Sequence, residues 1–181
     1  MLVGLAISGF VAAAAPVVPV DELHPHAEHR RATRLLTHVI SNYHYKNVVL
    51  DDALSKAILK RYLDTLDPLR SYLTQGDIDE FRKHEDRLDD YLRSSSLEPM
   101  FEMFVRFRTR LHERVDFAIA ALDREFDFAA DEYVDFDRED APWPSNTAEL
   151  DELWRKRVKN DILSLRLAGK EADDINATLR K

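Results

Sequence analysis

The hydrophobic residues of this chain recur every three to four positions along most of its length, which is the spacing of amphipathic α-helices. Five full helices and the start of a sixth are predicted, over residues 25–45, 51–66, 74–94, 97–123, 146–168 and 171–181. No internal repeat or low-complexity linker divides the pattern. The sequence therefore predicts an all-α fold, an irregular multi-helix bundle rather than a solenoid.

Several helix ends carry their own signals. Asp51 is a typical N-cap for the second helix, and the Asp67-Pro68 pair ends it. Thr74 with Asp77 resembles a capping box at the start of the third helix, and Pro99 suits the first turn of the longest one.

The helices have predicted apolar faces. The first helix has Ala27, Ala32, Leu35, Leu36, Val39, Ile40 and Tyr43 on this face, and the second has Leu54, Ala57, Ile58 and Tyr62. The third helix has Ile78, Phe81, Leu88 and Leu92. The longest helix has Met100, Phe101, Phe104, Phe107, Leu111, Val115, Ala118 and Leu122.

The last full helix follows a rigid segment that contains Pro142 and Pro144 on either side of a tryptophan. Asn146 is its predicted N-cap, with Glu149 reaching back, and Gly169 ends it. Its apolar face contains one acid, Asp161. The residues predicted to anchor this region in the core are Trp143, Trp154, Pro142, Pro144, Leu150, Leu153 and Val158. Before it, residues 126–140 alternate aromatic and acidic side chains, which predicts an acidic, aromatic-anchored loop.

The first 20 residues have no charged side chain and lead into four alanines, as in the apolar core and cleavage site of a signal peptide. We predict cleavage after Ala14 or Ala15, although no Lys or Arg precedes the apolar run; the alternative is an apolar tail on a cytoplasmic protein. The predicted organisation is a signal peptide over 1–20, a helical domain over 21–168, and over 169–181 the start of a further helix leading into other domains.

Composition narrows the classes of partner. The 181 residues carry a formal net charge of −8, which argues against nucleic acid or an anionic membrane as the main partner. The apolar leader is too short for an ordinary membrane-spanning helix. The absence of cysteine excludes disulfides and thiol chemistry without fixing the compartment.

Three charged sets are candidates for chemistry. His24, His26 and His29 could hold a metal, but a mobile polar arm is the preferred interpretation; the acids between 131 and 140 lack the glycine turn of a calcium loop. A set of arginines, Arg106, Arg108, Arg110 and Arg114, is interpreted as a solvated, ion-paired face. Ser55 beside Lys56 and Ser71 beside Arg70 are rejected as catalytic pairs, because adjacent side chains on a helix diverge.

Several motifs together resemble a known family. They are Ala-Pro-Trp-Pro at 141–144, Glu-Leu-x-x-Leu-Trp at 149–154, Val-Lys-x-Asp at 158–161, Leu-Ser-Leu-x-Leu-x-Gly-Lys at 163–170, Phe-Asp-Phe at 126–128, Leu-Asp-Pro at 66–68 and Ser-Asn-Tyr-His-Tyr at 41–45. In this combination the chain resembles, over roughly residues 25–181, the amino-terminal helical region of the tail-specific (carboxy-terminal processing) proteases of bacterial envelopes.

The resemblance implies a function that these residues do not perform alone. Such proteases use a serine nucleophile with a lysine base in a separate domain and engage the substrate's carboxy-terminus with a PDZ module. The chain has only four glycines, so neither a nucleophile elbow nor a carboxylate-binding loop can be placed. No catalytic, metal or cofactor residue is carried over.

The expectation is thus a non-catalytic scaffold and substrate-access domain in the periplasm. Its implied partners are the PDZ and protease domains of its own chain, protein substrates and a helical-repeat lipoprotein adaptor. The alternative is a freestanding secreted helical adaptor that binds envelope proteins.

Overall fold

A computed structural model describes residues 18–43 and 49–180. The first 17 positions of the predicted signal peptide, and the predicted end of the first helix near residue 45, lie outside these ranges. The elements, in order, are a 3-10 turn (Val20–Glu22) and the helices α1 (Ala27–Tyr43), α2 (Asp52–Leu66), α3 (Gln75–Arg82), α4 (Leu88–Ser94), α5 (Glu98–Ala121), α6 (Thr147–Leu167) and α7 (Ala172–Leu179). Within the described ranges no strand occurs, and the all-α prediction is confirmed.

Two hydrophobic clusters form the core. The first lies among α2, α3, α4 and the amino-terminal half of α5, and consists of Leu59, Leu63, Leu73, Ile78, Phe81, Leu88 and Met103. The second lies among α6, α7 and the carboxy-terminal end of α5, and consists of Ala121, Val158, Ile162 and Ile175. Because Met103 and Ala121 are 18 positions apart, α5 carries the two clusters about 27 Å apart along its axis.

The third predicted helix is two helices. After α3 the chain makes tight turns, in which His84 N donates to Phe81 O and Arg87 N donates to His84 O, and α4 begins at Leu88. The break places Asp89 against Ser55 of α2, whose hydroxyl donates to the carboxylate at 2.7 Å and accepts from the Asp89 amide at 2.9 Å. The Ser55 hydrogen bond holds the pKa of Asp89 below its ordinary value.

The buried face of α2 also differs from the predicted one. Ser55, Leu59 and Leu63 are buried, whereas Ala57 is exposed. The predicted Ile58 and Tyr62 are half-buried against the first cluster, so the buried face is shifted towards Ser55, Leu59 and Leu63 rather than replaced. Leu59 and Leu63 are visible in the hydrophobic pattern, whereas Ser55 counts as polar and is buried with its hydroxyl satisfied by Asp89. On α5, likewise, Met103 is buried and the predicted inward residue Val115 is exposed.

The predicted caps are present. The Thr74 hydroxyl accepts from Asp77 N while the Asp77 carboxylate accepts from Thr74 N, a complete capping box. The Asn146 side chain accepts from Glu149 N at 3.0 Å, and the Glu149 carboxylate accepts from Ser145 N at 2.7 Å. That backbone hydrogen bond lowers the pKa of Glu149.

Candidate functional site

The segment 141–145, here called the Pro-Trp-Pro strap, runs across the first cluster. Pro144 is buried and its carbonyl accepts from Gln75 N at 2.8 Å, at the start of α3. Trp143 packs against the first cluster, and the Arg70 guanidinium lies 5.4 Å from the centre of its ring while donating to the Ala141 carbonyl. The strap therefore fixes the direction from which the chain enters α6.

The other predicted anchors have different degrees of burial. Leu150 and Val158 are buried, and Leu153 and Trp154 are half-buried. Pro142 is exposed and so does not anchor through packing; its place in the strap leaves it only a stiffening effect on the backbone.

The Trp154 indole links three parts of the chain. Its N–H donates to the Ser71 carbonyl at 2.6 Å, in the turn between α2 and α3. The Tyr72 ring lies between it and α5, with ring centres 5.4 Å from Trp154 and 5.7 Å from Phe107. Trp154 thus joins α6 to that turn and to α5.

Asp67, of the Leu-Asp-Pro motif, organises the same turn. Its buried carboxylate accepts from the backbone amides of Ser71, Tyr72 and Leu73, each at 2.9 Å. A carboxylate that satisfies three buried amides holds a turn that could not otherwise be buried.

Asp77 is a buried acid with five hydrogen bonds. It accepts from the amide and hydroxyl of Thr74, from one nitrogen of Arg106 at 3.0 Å, and from two nitrogens of Arg110 at 3.0 and 3.1 Å. Burial acts to raise the pKa of Asp77, but the hydrogen bonds from Arg110 and Thr74 together outweigh it and lower the pKa.

The predicted solvated, ion-paired face holds for Arg106, which is exposed and paired, but the Arg110 side chain is only 22% exposed and Arg114 is buried. Arg106 and Arg110 bind the buried Asp77, and Arg114 is itself buried, paired with Asp151 and stacked 5.2 Å from the Phe117 ring centre. Arg108 has a side-chain nitrogen near the Val18 carbonyl, at 3.4 Å. Sequence spacing finds the pair of Arg110 with Glu113, at 3.0 Å, but not the contacts with Asp77 and Asp151, because these acids come from α3 and α6.

The acidic loop is tied to α6 by Glu132. Its carboxylate accepts from Lys159 and Arg155, each at 2.6 Å, and these two cations lower the pKa of Glu132 to about 2. Within the described ranges no cluster of three or more His, Asp or Glu side chains forms a cation site.

The rings of the three amino-terminal histidines lie in a row, with His24 and His26 exposed and His29 half-buried. The ring centres of His24 and His26 are 4.5 Å apart, those of His26 and His29 are 5.4 Å apart, and His29 lies 5.6 Å from Phe101 of α5. The aromatic surface of α5 therefore gives His29 a partner, while His24 and His26 contact only the neighbouring histidines among these rings.

The serines considered as nucleophiles are enclosed. Ser55 and Ser71 are each at most 1% exposed, and the Ser55 hydroxyl is held by Asp89. Lys56 forms its ion pair with Asp86, at 2.9 Å.

Helix α1 has its apolar stripe on the outside. Leu35, Leu36, Val39, Ile40 and Tyr43 are between 38% and 75% exposed, and no residue of the helix is buried. α1 is held through polar groups on its other side: the Thr37 hydroxyl donates to Leu92 O at 3.4 Å, and Arg30 pairs with Glu98. We call this exposed set the α1 stripe.

A pocket of about 360 Å³ opens beside the second cluster, between α6, α7 and the Phe-Asp-Phe corner. Its lining includes Leu122, Arg124, Phe126, Phe128, Ile162 and Arg166. We call it the α6–α7 pocket. No helix among the described residues is long and apolar enough to cross a membrane.

Comparison with known protein sequences assigns the chain to a family. The sequence model described as "Tail specific protease N-terminal domain" matches residues 36–181, well over half of the chain. The chain belongs to the tail-specific protease family. One relative, the tail-specific protease of Haemophilus influenzae, is 36% identical over 155 residues, which are 85% of this chain and 22% of the relative.

The match fixes which part of a tail-specific protease is described. It confirms the resemblance seen in the motifs, and it makes the chain a protease-associated amino-terminal domain. Because the chain spans only 22% of the relative's length, further domains belong to that relative.

Proposed function

We propose that this chain is the non-catalytic helical domain of a periplasmic carboxy-terminal processing protease, in which it scaffolds the protease body and shapes substrate access. The α1 stripe is the observation that carries the proposal. A helix that uses its polar side to contact its own domain and keeps five large apolar residues outside has a surface suited to another partner.

We assign that partner to the PDZ and protease domains of the same chain. Most of the length of the Haemophilus influenzae relative lies outside the matched segment, so a covalently linked partner is the one with the highest effective concentration. Burial of each large apolar side chain would stabilise such docking by about 1.5–3 kcal/mol. A helical-repeat lipoprotein adaptor and a second copy of the chain are competing occupants that the experiment below distinguishes.

The absence of a catalytic role is supported by the state of the serines. Ser55 is enclosed with its hydroxyl bound to the Asp89 carboxylate, and the neighbouring Lys56 pairs with Asp86, so Ser55 is neither accessible nor paired with a lysine base. We expect the purified 181-residue chain to leave a peptide with an apolar carboxy-terminal tail uncut, and the protein extended by its downstream sequence to cleave it.

The docking proposal is tested by Leu35→Glu, with Leu167→Glu as the matched control. Both leucines are exposed, by 64% and 80%, but Leu167 lies at the end of α6, outside the stripe. In the 181-residue chain both variants should change the free energy of unfolding by less than about 0.5 kcal/mol. In the longer protein only Leu35→Glu should lower the melting temperature and the cleavage rate.

Hydrogen exchange of the α1 amides supplies a second measurement. Exchange should be slower in the longer protein than in the 181-residue chain at the same concentration. Equal exchange in the two, or equal effects of the two variants, would refute docking onto the same chain. Slowing that appears only with an added lipoprotein, or that rises with protein concentration, would assign the stripe to an adaptor or to a second copy instead. If the native gene encoded no further domain, the freestanding adaptor would replace the protease scaffold.

A further inference from the structure

The α6–α7 pocket combines an apolar floor with a cationic rim. Phe126, Phe128 and Ile162 line it from the second cluster, and Arg124 and Arg166 line it as well. Its volume of about 360 Å³ is at the small end of the range for ligand sites, about 300–1,000 Å³.

The two arginines differ from most cations of this domain. Within residues 18–43 and 49–180, neither guanidinium forms an ion pair or a side-chain hydrogen bond. Arg124 lies 5.3 Å from the ring centre of Phe117, and Arg166 lies 4.3 Å from that of Phe128. A cation–π contact does not require a hydrogen bond from the guanidinium, so the N–H groups of both arginines remain available as donors.

These two features call for a ligand that is both anionic and apolar. An oxyanion with planar geometry, above all a carboxylate, accepts from guanidinium edges, and the aromatic floor favours an attached hydrocarbon group. A bare inorganic anion would leave the floor uncovered, and a neutral hydrocarbon would leave the arginines unused.

The remaining lining favours a peptide over a fatty acid. Glu125 and Asn176 also line the pocket; Glu125 offers a carboxylate acceptor, and Asn176, whose side-chain oxygen accepts from Arg180, offers its NH2 group as a donor. Backbone N–H and C=O groups can pair with both, whereas a hydrocarbon chain can pair with neither. Burying polar groups beside a hydrocarbon chain would cost free energy.

We propose that the α6–α7 pocket binds the carboxy-terminal residue of a polypeptide when that residue is apolar. The terminal side chain lies against Phe126 and Phe128, and the terminal carboxylate is bound by Arg124 and Arg166. This gives the domain its own contact with the free end of a polypeptide. Its biological meaning rests on the substrate-access role proposed above, although the binding itself does not.

The test is fluorescence anisotropy with the 181-residue chain and a labelled peptide of polar sequence ending in leucine. The free acid should bind about tenfold more tightly than the same peptide ending in an amide, because a charge-assisted hydrogen bond is lost. Arg166→Gln and Arg124→Gln should each weaken binding of the acid by about tenfold. Arg61→Gln, at an exposed arginine of α2, is the matched control and should leave binding unchanged. Equal thermal melts of all variants establish that each is folded.

Three results would overturn the proposal. In the first, the free-acid and amide peptides bind equally, or neither binds at millimolar concentration. In the second, the Arg166 and Arg124 variants bind the free-acid peptide as tightly as the Arg61 variant does. In the third, decanoate displaces the peptide and binds more tightly than the peptide. None depends on docking of α1, since no further domain is present in the assay. If the 181-residue chain binds the free-acid peptide but the α1 amides exchange equally fast in the longer protein, only the docking proposal is refuted.

Discussion

The single buried carboxylate of Asp77 binds both the amino-terminal end of its own helix and two arginines of another helix. It completes the capping box of α3 and binds Arg106 and Arg110 of α5. A buried acid without these partners would be strongly destabilising, so the five hydrogen bonds are what permits its burial.

Asp77→Asn should therefore lower the free energy of unfolding by about 2–3 kcal/mol, because it removes the charge that both arginines bind. Asp79→Asn, two positions along α3 at an exposed acid, is the control and should cost well under 1 kcal/mol. Urea denaturation of the two variants measures the difference. Equal midpoints would mean that the Asp77 contacts contribute nothing net.

The capping function of Asp77 could be predicted from sequence, but its tertiary function could not. Capping depends on neighbours three positions apart, and Thr74 shows the same local chemistry. The arginines are 29 and 33 positions away, and their approach depends on how α5 lies across α3. The same limit explains Ser55, whose burial depends on an acid 34 positions away.

Glu132 should make stability depend on pH in the acid range. Its pKa is lowered from 4.5 to about 2 by Lys159 and Arg155, so the unfolded chain binds a proton before the folded one does. The contribution is complete above about pH 5 and is lost as pH falls from there towards 2.

Glu132→Gln should thus flatten the fall in the free energy of unfolding between about pH 5 and 2.5. Asp131→Asn, at the neighbouring acid without an ion pair among the described residues, should keep the slope of the unsubstituted chain. Denaturant titrations at a series of pH values test this. A slope unchanged in Glu132→Gln would show that its carboxylate titrates alike in both states.

At the scale of helices, the position of each element was easier to predict than its orientation. The caps at Asp51, Thr74 and Asn146 are local and lie where predicted. The break between α3 and α4 and the burial of Ser55 on α2 depend on partners in other helices, which hydrophobic spacing does not include. The α1 stripe is the extreme case, since its amphipathic pattern is real but faces away from this domain.

Trp154→Ala should cost about 3 kcal/mol or more, because it removes a packed aromatic ring and leaves the Ser71 carbonyl without its donor. Arg108→Ala, on the predicted arginine face of α5, should cost well under 1 kcal/mol. Thermal and denaturant melts of the two variants give the comparison. Equal stability of both would contradict the role of the indole as the link from α6 to the α2–α3 turn.

At the scale of the whole molecule, the proposed export to the periplasm depends on the predicted signal peptide. We expect protein recovered from the native host to lack about the first fifteen residues, because the apolar run ends in alanines suited to signal peptidase. Mass spectrometry of the intact protein from periplasmic and cytosolic fractions decides it. An intact Met1 in the cytosol would refute both the leader and the periplasmic location.

Helix α5 has Met103 in one cluster and Ala121 in the other. We expect loss of either cluster to fray the helix on which the other is built, so that neither half melts alone. We therefore expect the domain to unfold as a single cooperative unit.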